Sequence, residues 1–159
     1  MRRGARICDR KNTVIFDLDG TIAKTNKRLS LATAKGKLDW DVFLDPNNID
    51  LDLPNKPVVE ALRLFYYDGY EIIILSGRTA KTRDASIQWL RKHHIPYDEL
   101  NMRPVELHYV ADDVLKWDML KVHGINKEDI LCVFDDRKSV VDMWRTEGLT
   151  CFQVAEGNF

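Results

Sequence analysis

The chain has 159 residues, 45% of them hydrophobic and 31% charged, proportions of a folded single domain rather than of a disordered polymer. Its 24 Lys and Arg against 25 Asp and Glu give a formal net charge of −1, which argues against a basic protein coating long nucleic acid but leaves room for a local basic patch. No apolar run approaches the roughly 18 to 20 residues that cross a bilayer, and the basic start MRRGARICDRK lacks the apolar stretch of a secretory signal.

In chain order, residues 13–16 (TVIF) form the first short apolar run, followed later by 71–75 (EIIIL) and 130–134 (ILCVF). Continuous Ile, Val and Leu runs of this length predict strands buried on both faces, as in a parallel sheet. The first run leads straight into Asp17-Leu18-Asp19-Gly20-Thr21. Two carboxylates at i and i+2 project from one edge of a strand end, and Gly20 permits a sharp turn beside them. Like charges so close ionise together only with a cation at hand, so a hard, oxygen-liganded ion such as Mg²⁺ is expected. A metal-free Asp-rich turn is the simpler alternative. A calcium loop is excluded, because Thr21 and Arg28 stand where it needs an acid and a Glu.

Residues 27–57 break the rhythm. The stretch DPNNIDLDLPNKP, with Pro46, Pro54 and Pro57, denies a long regular element, and the segment far exceeds an ordinary loop of about four to six residues. It is expected to form a small cap inserted after the first strand. Trp40 and Phe43 within it either stack on a base or pack the cap onto the body. Val58, Ala61, Leu62 and Phe65 then recur at helical spacing, with Gly69 near the end of that helix.

The second apolar run opens into Ser76-Gly77-Arg78-Thr79, and a helix is predicted over 79–94 with Ile87 and Leu90 inside. A hydroxyl, free backbone N–H groups and a guanidinium at a helix start would seat a phosphate; a plain N-cap turn is the alternative. On a helix predicted over 112–122, Asp112 and Lys116 share a face, either as an exposed ion pair or with the cation reaching a common site. The third run opens into Asp135-Asp136-Arg137, a second acidic pair or a capped helix start, before a helix at 138–147 and a strand at 150–154. Strands alternating with helices predict one α/β domain over residues 1–159: a doubly wound, Rossmann-like, mostly parallel sheet flanked by helices. Polar groups placed immediately after three buried strands meet in the crevice where such sheets bind ligands. Cys8, Cys132 and Cys151 are odd in number and lack CxxC spacing, so neither a disulfide framework nor a zinc site is expected and a reducing cytoplasm is the expected location. His93, His94, His108 and His123 show no ligand spacing, and Trp89, Trp117 and Trp144 are expected in the core or at an interface.

At DLDGT, SGR, Lys116 and FDDR the sequence resembles the four ordered motifs of the haloacid-dehalogenase (HAD) phosphohydrolases, and residues 13–159 resemble the 3′-phosphatase domain of bacteriophage polynucleotide kinase. The likeness is close at the motifs and over the C-terminal stretch, and weak across 29–55. It implies that Asp17 is a nucleophile forming an aspartyl-phosphate and that Asp19 is a general acid, then base. Ser76, Arg78 and Lys116 would neutralise phosphoryl oxygens, with Thr21, Arg28, Gly77 and Asp112 among the substrate-binding positions. Mg²⁺ would be held by Asp17, the backbone carbonyl of Asp19 and one of Asp135 or Asp136. The implied reaction is removal of a 3′-phosphate from DNA or RNA ends during repair, in a phage host's cytoplasm, beside a separate kinase or ligase partner and without a membrane. The chain carries no GxxxxGK[ST] loop, so no kinase domain and no 5′ phosphorylation are expected from it. The insert is longer than expected from the phage enzyme, which keeps a nucleotidase or other small-molecule phosphatase as the nearest alternative. A signalling receiver carries its acceptor Asp on a later strand than its metal-binding acids, and a non-catalytic nucleic-acid or partner-binding domain would not need Asp17, Asp19 and Lys116 together.

Overall fold

The computed structural model describes residues 12–157; the readings made on the basic N-terminus, Cys8 and the last two residues lie outside them. The elements are β1 (Thr13–Phe16), β2 (Ala23–Lys24), α1 (Asn26–Ala32), α2 (Trp40–Phe43), a 3-10 segment at Pro46–Leu51, β3 (Leu53–Pro54), α3 (Lys56–Tyr67), β4 (Glu71–Thr79), α4 (Arg83–Lys92), β5 (Glu99–Arg103), α5 (Asp112–Val122), β6 (Ile130–Arg137), α6 (Lys138–Thr146) and β7 (Cys151–Gly157). Five strands form one sheet in the order β5-β4-β1-β6-β7, every pairing parallel. The chain leaves β1 for β4 and β5 on one side, then returns to β6 and β7 on the other. The reversal falls at β1, the switch point beyond whose carboxyl end open α/β sheets bind ligands.

The inner strands are apolar throughout because both faces of the sheet are covered. Val14, Phe16, Ile72 and Ile74 pack with Leu62 of α3 and with Trp89 and Leu90 of α4. Ile15, Ile73, Leu75 and Val133 pack with Leu115 and Met119 of α5 and with Val140, Val141 and Trp144 of α6. Register then positions the strand ends. Phe16 lies beside Phe134, and Phe134 beside Phe152, with rings stacked at 4.6 and 5.0 Å. One residue further on, the Asp17 N–H donates to the Phe134 carbonyl at 2.9 Å, which sets Asp17 alongside Asp135.

Two sequence expectations are corrected. Residues 76–79 continue β4 rather than starting a helix, because Ser76 and Thr79 still pair with Met102 and Arg103 of β5; α4 begins only at Arg83, after a 3-10 turn at Ala80–Thr82. The last strand runs to Gly157 instead of stopping at 154, since its pairing with β6 resumes past an irregularity at Arg137. Strand β5 has no counterpart among the sequence expectations. Its sequence ELNMR is mixed in character, yet Leu100 and Met102 are buried in the core.

Between β2 and β3, which pair antiparallel, the insert folds as α1, α2 and the 3-10 segment. Ile49 of that segment joins the core cluster that includes Trp89, and the Trp89 indole N–H donates to the Asp52 carbonyl at 3.0 Å, fixing the insert to α4. Among the described residues no helix is long and apolar enough to cross a membrane. Ile74 at the middle of the sheet is fully buried, so Ile74→Ala should cost about 2–5 kcal/mol. The check is a lower urea midpoint at unchanged slope; a loss below about 0.5 kcal/mol would contradict this packing.

Candidate active site

Asp17 leaves β1 into the buried crevice (5% exposed). Lys116 reaches it from α5: its Nζ donates to Asp17 Oδ1 at 2.6 Å and to Asp135 Oδ2 at 2.8 Å. The other oxygen of Asp135 accepts from the backbone N–H groups of Asp136 and Arg137 at 3.0 and 3.2 Å, which locks that carboxylate where β6 ends. Oxygens of Asp17, Asp135 and Asp136 all lie within 4.8 Å of one another, and Asp17 Oδ2 is buried without a hydrogen-bond partner. Burial pushes the Asp17 carboxyl well above the ordinary range; Lys116 opposes this, while Asp135 and Asp136 add to it. Asp136 is raised to about 6 by burial and by Asp135. Burial also disfavours the charge on Lys116, but Asp135 and Asp17 outweigh it and hold the ammonium above its ordinary pKa. An oxygen-only donor set around an unpartnered carboxylate oxygen is chemically matched to a hard divalent cation.

Two glycines make room for Asp136. A Cβ at Gly20 would fall 2.1 Å from Asp136 Oδ2, and one at Gly157 2.4 Å from the same atom. Gly20 also has φ +87°, so turn and close approach both require it. Nothing in the sequence marked Gly157, because its partner lies across the β6–β7 pairing.

Asp19 occupies the opposite electrostatic setting. Arg78 donates to Asp19 Oδ1 from Nε at 2.8 Å and again from Nη2, and Arg28 Nη2 donates to the same oxygen. Burial would raise the Asp19 carboxyl, but Arg78 and then Arg28 overcome it and hold the group below the ordinary range. Both guanidiniums are held in turn by Asp52, just before β3. Arg28 donates to it at 3.0 and 2.9 Å and Arg78 at 2.8 Å. Arg28 also donates to the Phe43 carbonyl at 2.9 Å and lies 4.2 Å from the centre of the Phe43 ring; Arg78 donates to Ser86 Oγ at 3.0 Å. Asp52 went unnoticed in the sequence, lost among the acids of NNIDLDLP; only the fold shows it to be 1% exposed between two arginines.

A third cluster closes the site. Asp112 accepts from Arg103 and, at 2.5 Å, from Arg137, and Arg103 Nε donates to the Gly77 carbonyl at 3.0 Å. A Cβ at Gly77 would fall 2.9 Å from Asp112, so Gly77 is there to admit Asp112. These groups surround a cavity of about 890 Å³ lined by Asp17, Asp19, Arg78, Lys116, Asp135 and Asp136 and walled by residues of α2 and of 103–112. Of the positions singled out in the sequence, Asp17, Asp19, Gly77, Arg78, Asp112, Lys116, Asp135 and Asp136 line it. Thr21, Arg28 and Ser76 are fully buried and are not among its lining residues. Ser76 Oγ accepts from the Arg78 N–H at 3.1 Å, and the Thr21 hydroxyl is buried without a partner.

A sequence profile for the polynucleotide kinase PNKP phosphatase domain, a HAD class, matches residues 11–159. The chain belongs to this family. In sequence it is 30% identical over 140 residues to a protein of Autographa californica nuclear polyhedrosis virus named as a bifunctional polynucleotide kinase/RNA ligase. That match covers 83% of this chain and 17% of the viral protein. A chain of the Pnkp1/Rnl/Hen1 RNA repair complex superposes with a TM-score of 0.75 at 34% identity, covering 99% of this chain and 47% of that one. This family member therefore spans less than half of either relative. A class C acid phosphatase from Bacillus anthracis with tungstate bound shares the fold (TM-score 0.62, 15% identity, 95% and 69% coverage).

The Asp52 bridge yields a prediction with a definite sign. Burial raises its carboxyl to about 6, with Arg28 and Arg78 opposing, whereas an unfolded Asp titrates near 3.9. The folded state thus binds this proton more tightly, so the contribution of Asp52 to stability is full below about pH 4 and is lost as pH rises through about 6. Relative to Asp52→Asn, the wild-type urea midpoint should fall across that window; a pH-independent difference would contradict it. Phosphatase kcat/KM in the same variant should drop at least about tenfold at pH 7, because two buried guanidiniums lose a shared counter-charge.

Proposed function

We propose that the chain is a Mg²⁺-dependent phosphomonoesterase that removes the 3′-phosphate from polynucleotide ends through an aspartyl-phosphate on Asp17. The observation that carries the chemistry is the separation of Asp17 and Asp19 into opposite environments two residues apart, one among carboxylates and an ammonium, the other between two guanidiniums. Family membership carries the substrate class. The relatives named as an RNA ligase fusion and an RNA repair complex favour an end-healing role beside kinase and ligase activities.

The residues divide the work as follows. Asp17, Asp135 and Asp136, with the Asp19 carbonyl, would hold Mg²⁺. When bound, the ion supplies positive charge that lets the three carboxylates stay ionised together and offsets charge on the phosphoryl oxygens. A carboxylate oxygen of Asp17 attacks phosphorus while the bond from phosphorus to the 3′ oxygen breaks. Asp19 gives its proton to the departing 3′ oxygen. In the second half Asp19, now a carboxylate, takes a proton from water as the water oxygen attacks phosphorus, and the bond to Asp17 breaks to release inorganic phosphate. The resting charge state suits the second half: Arg78 and Arg28 keep Asp19 ionised. A phosphoryl group that engages Arg78 draws one of those cations away, so the carboxyl accepts a proton more readily as substrate binds. Lys116 and Arg78, both on the cavity wall, neutralise the phosphoryl oxygens as charge spreads over them.

The test is phosphate release from a 3′-phosphorylated oligonucleotide, its 5′-phosphorylated counterpart, a 3′-mononucleotide and a 5′-mononucleotide. Asp17→Asn serves as the blank and should be inactive, at least about 10³-fold down. Preference for the 3′-phosphorylated oligonucleotide establishes the reading; equal or better turnover of mononucleotides makes the enzyme a nucleotidase, a reading that a cavity of about 890 Å³ also accommodates. EDTA should silence the enzyme and Mg²⁺ restore it, and Mg²⁺ should raise the melting temperature of the wild type but not of Asp136→Asn. Activity indifferent to chelation would remove the metal.

A further inference from the structure

The four tryptophans of the chain fall into two kinds. Trp89 and Trp144 are 2% and 0% exposed, and Trp117 lies half-buried, edge-on to Trp144 at 6.3 Å. Trp40 is 51% exposed and lines the cavity that holds the acids. Its neighbour one helical turn on, Phe43, is buried and answers to Arg28 through both its carbonyl and its ring. Phe43 is therefore held inside the insert, whose attachment to the body runs through Ile49 and Trp89. Trp40 touches the Phe43 ring only edge-on, 5.8 Å between centres at 88°, which leaves its indole on the cavity side of α2.

The reaction geometry says what approaches that indole. In the reading proposed above, on which this inference rests, Asp19 protonates the leaving 3′ oxygen, so the nucleoside attached to that oxygen lies on the Asp19 side of the phosphorus. Asp19 is joined to α2 through Arg28 and Phe43. The body of the leaving group thus faces the wall that carries Trp40 and Leu44. Charge decides which part of it can rest there. The adjacent exposed Asp41 also lines this wall, and its carboxylate repels a phosphodiester but not a neutral base. The exposed Lys81 lines the cavity elsewhere, as do His108 and the acidic Glu106, so it is the Lys81 side that leaves the backbone a less hostile path. An indole face stacks with any base, without sequence preference.

We infer that Trp40 is the platform on which the base of the 3′-terminal nucleotide stacks, a nucleobase subsite built from the insert. It is a binding residue, and its contribution is made equally in ground and transition states. The experiment compares wild type, Trp40→Ala and Trp40→Phe on two 3′-phosphorylated oligonucleotides, one with a normal terminal base and one ending in an abasic sugar. The wild type should show a KM about tenfold lower for the end that carries a base. Trp40→Ala should remove that difference by raising KM about tenfold on the base-bearing end alone, with kcat unchanged; Trp40→Phe should keep most of it. Equal KM for both ends in the wild type, or a Trp40→Ala defect of the same size on both, would overturn the platform while leaving the 3′-phosphatase reading intact. A fall in kcat on both ends would show instead that Trp40 acts by steadying Phe43 and Arg28. Wild-type turnover of mononucleotides with none of either oligonucleotide would defeat the function proposed above, and the subsite with it.

Discussion

The constraint on which this structure depends is the gathering of carboxylates out of water. Asp17, Asp19, Asp52, Asp112, Asp135 and Asp136 meet at one end of the sheet with side chains buried or nearly so. Desolvating an ionised carboxylate costs several kcal/mol unless a partner offsets it. The partners come from separate elements: Arg28 from α1, Arg78 from β4, Arg103 from β5, Lys116 from α5 and Arg137 from β6. Arg28, Arg78 and Lys116 each bridge two acids that the chain supplies far apart in sequence, while Arg103 and Arg137 converge on Asp112. The charge network thus ties β1, the insert, both halves of the sheet and α5 into one arrangement, and removing one partner leaves another buried charge exposed to its full desolvation cost.

That network is divided, and the division is chemical. On one side a single ammonium serves Asp17 and Asp135 while Asp136 stands close by, so positive charge is short and Asp17 and Asp136 are pushed up. On the other side two guanidiniums serve Asp19 and Asp52: Asp19 is pushed down, while burial still raises Asp52 to about 6. Groups only two residues apart in the chain therefore prefer opposite protonation states, the pattern by which acid and base roles are sorted in an active site. The short side is also the side whose oxygens converge with one of them unpartnered. A shortage of cationic charge and an unpartnered oxygen coincide in the same place, a donor set chemically matched to a hard divalent cation.

Much of this was legible in the sequence because parallel strands advertise themselves. TVIF, EIIIL and ILCVF are buried on both faces, and the polar residues that follow them had to meet where the strands end. The lysine on α5 could be read from its i+4 spacing to Asp112. What stayed hidden depends on contacts between segments. ELNMR does alternate polar and apolar residues, but over only five positions and with no β-branched or aromatic side chain to mark it as a strand; pairing with β4 is what fixes its state. The segment after Leu75 reads as a helix start from composition, yet pairing with β5 draws it out as strand as far as Thr79. Asp52 looks like any acid in a polar, proline-rich stretch; its burial follows from the anchoring of the insert on Trp89, which no local pattern encodes. Gly157 is needed because the Asp136 carboxylate and the Arg137 backbone occupy the space a Cβ would take.

The insert does more than cover the cavity. It supplies Arg28 and Asp52, and so sets half of the charge around Asp19, and it supplies Trp40, Phe43 and Leu44 to the cavity wall. Arg28 sits between these two tasks, bonded to Asp19 at one end and to the Phe43 carbonyl at the other. A shift of α2 large enough to admit or expel a substrate must therefore strain or break a hydrogen bond of the same guanidinium that holds Asp19 ionised. The position of the wall therefore bears on one of the two cations that hold Asp19 low, Arg28, beside the stronger Arg78. The insert thus contributes at once to the shape of the cavity wall and to the charge around the acid, so neither can be read from the strand-end motifs alone.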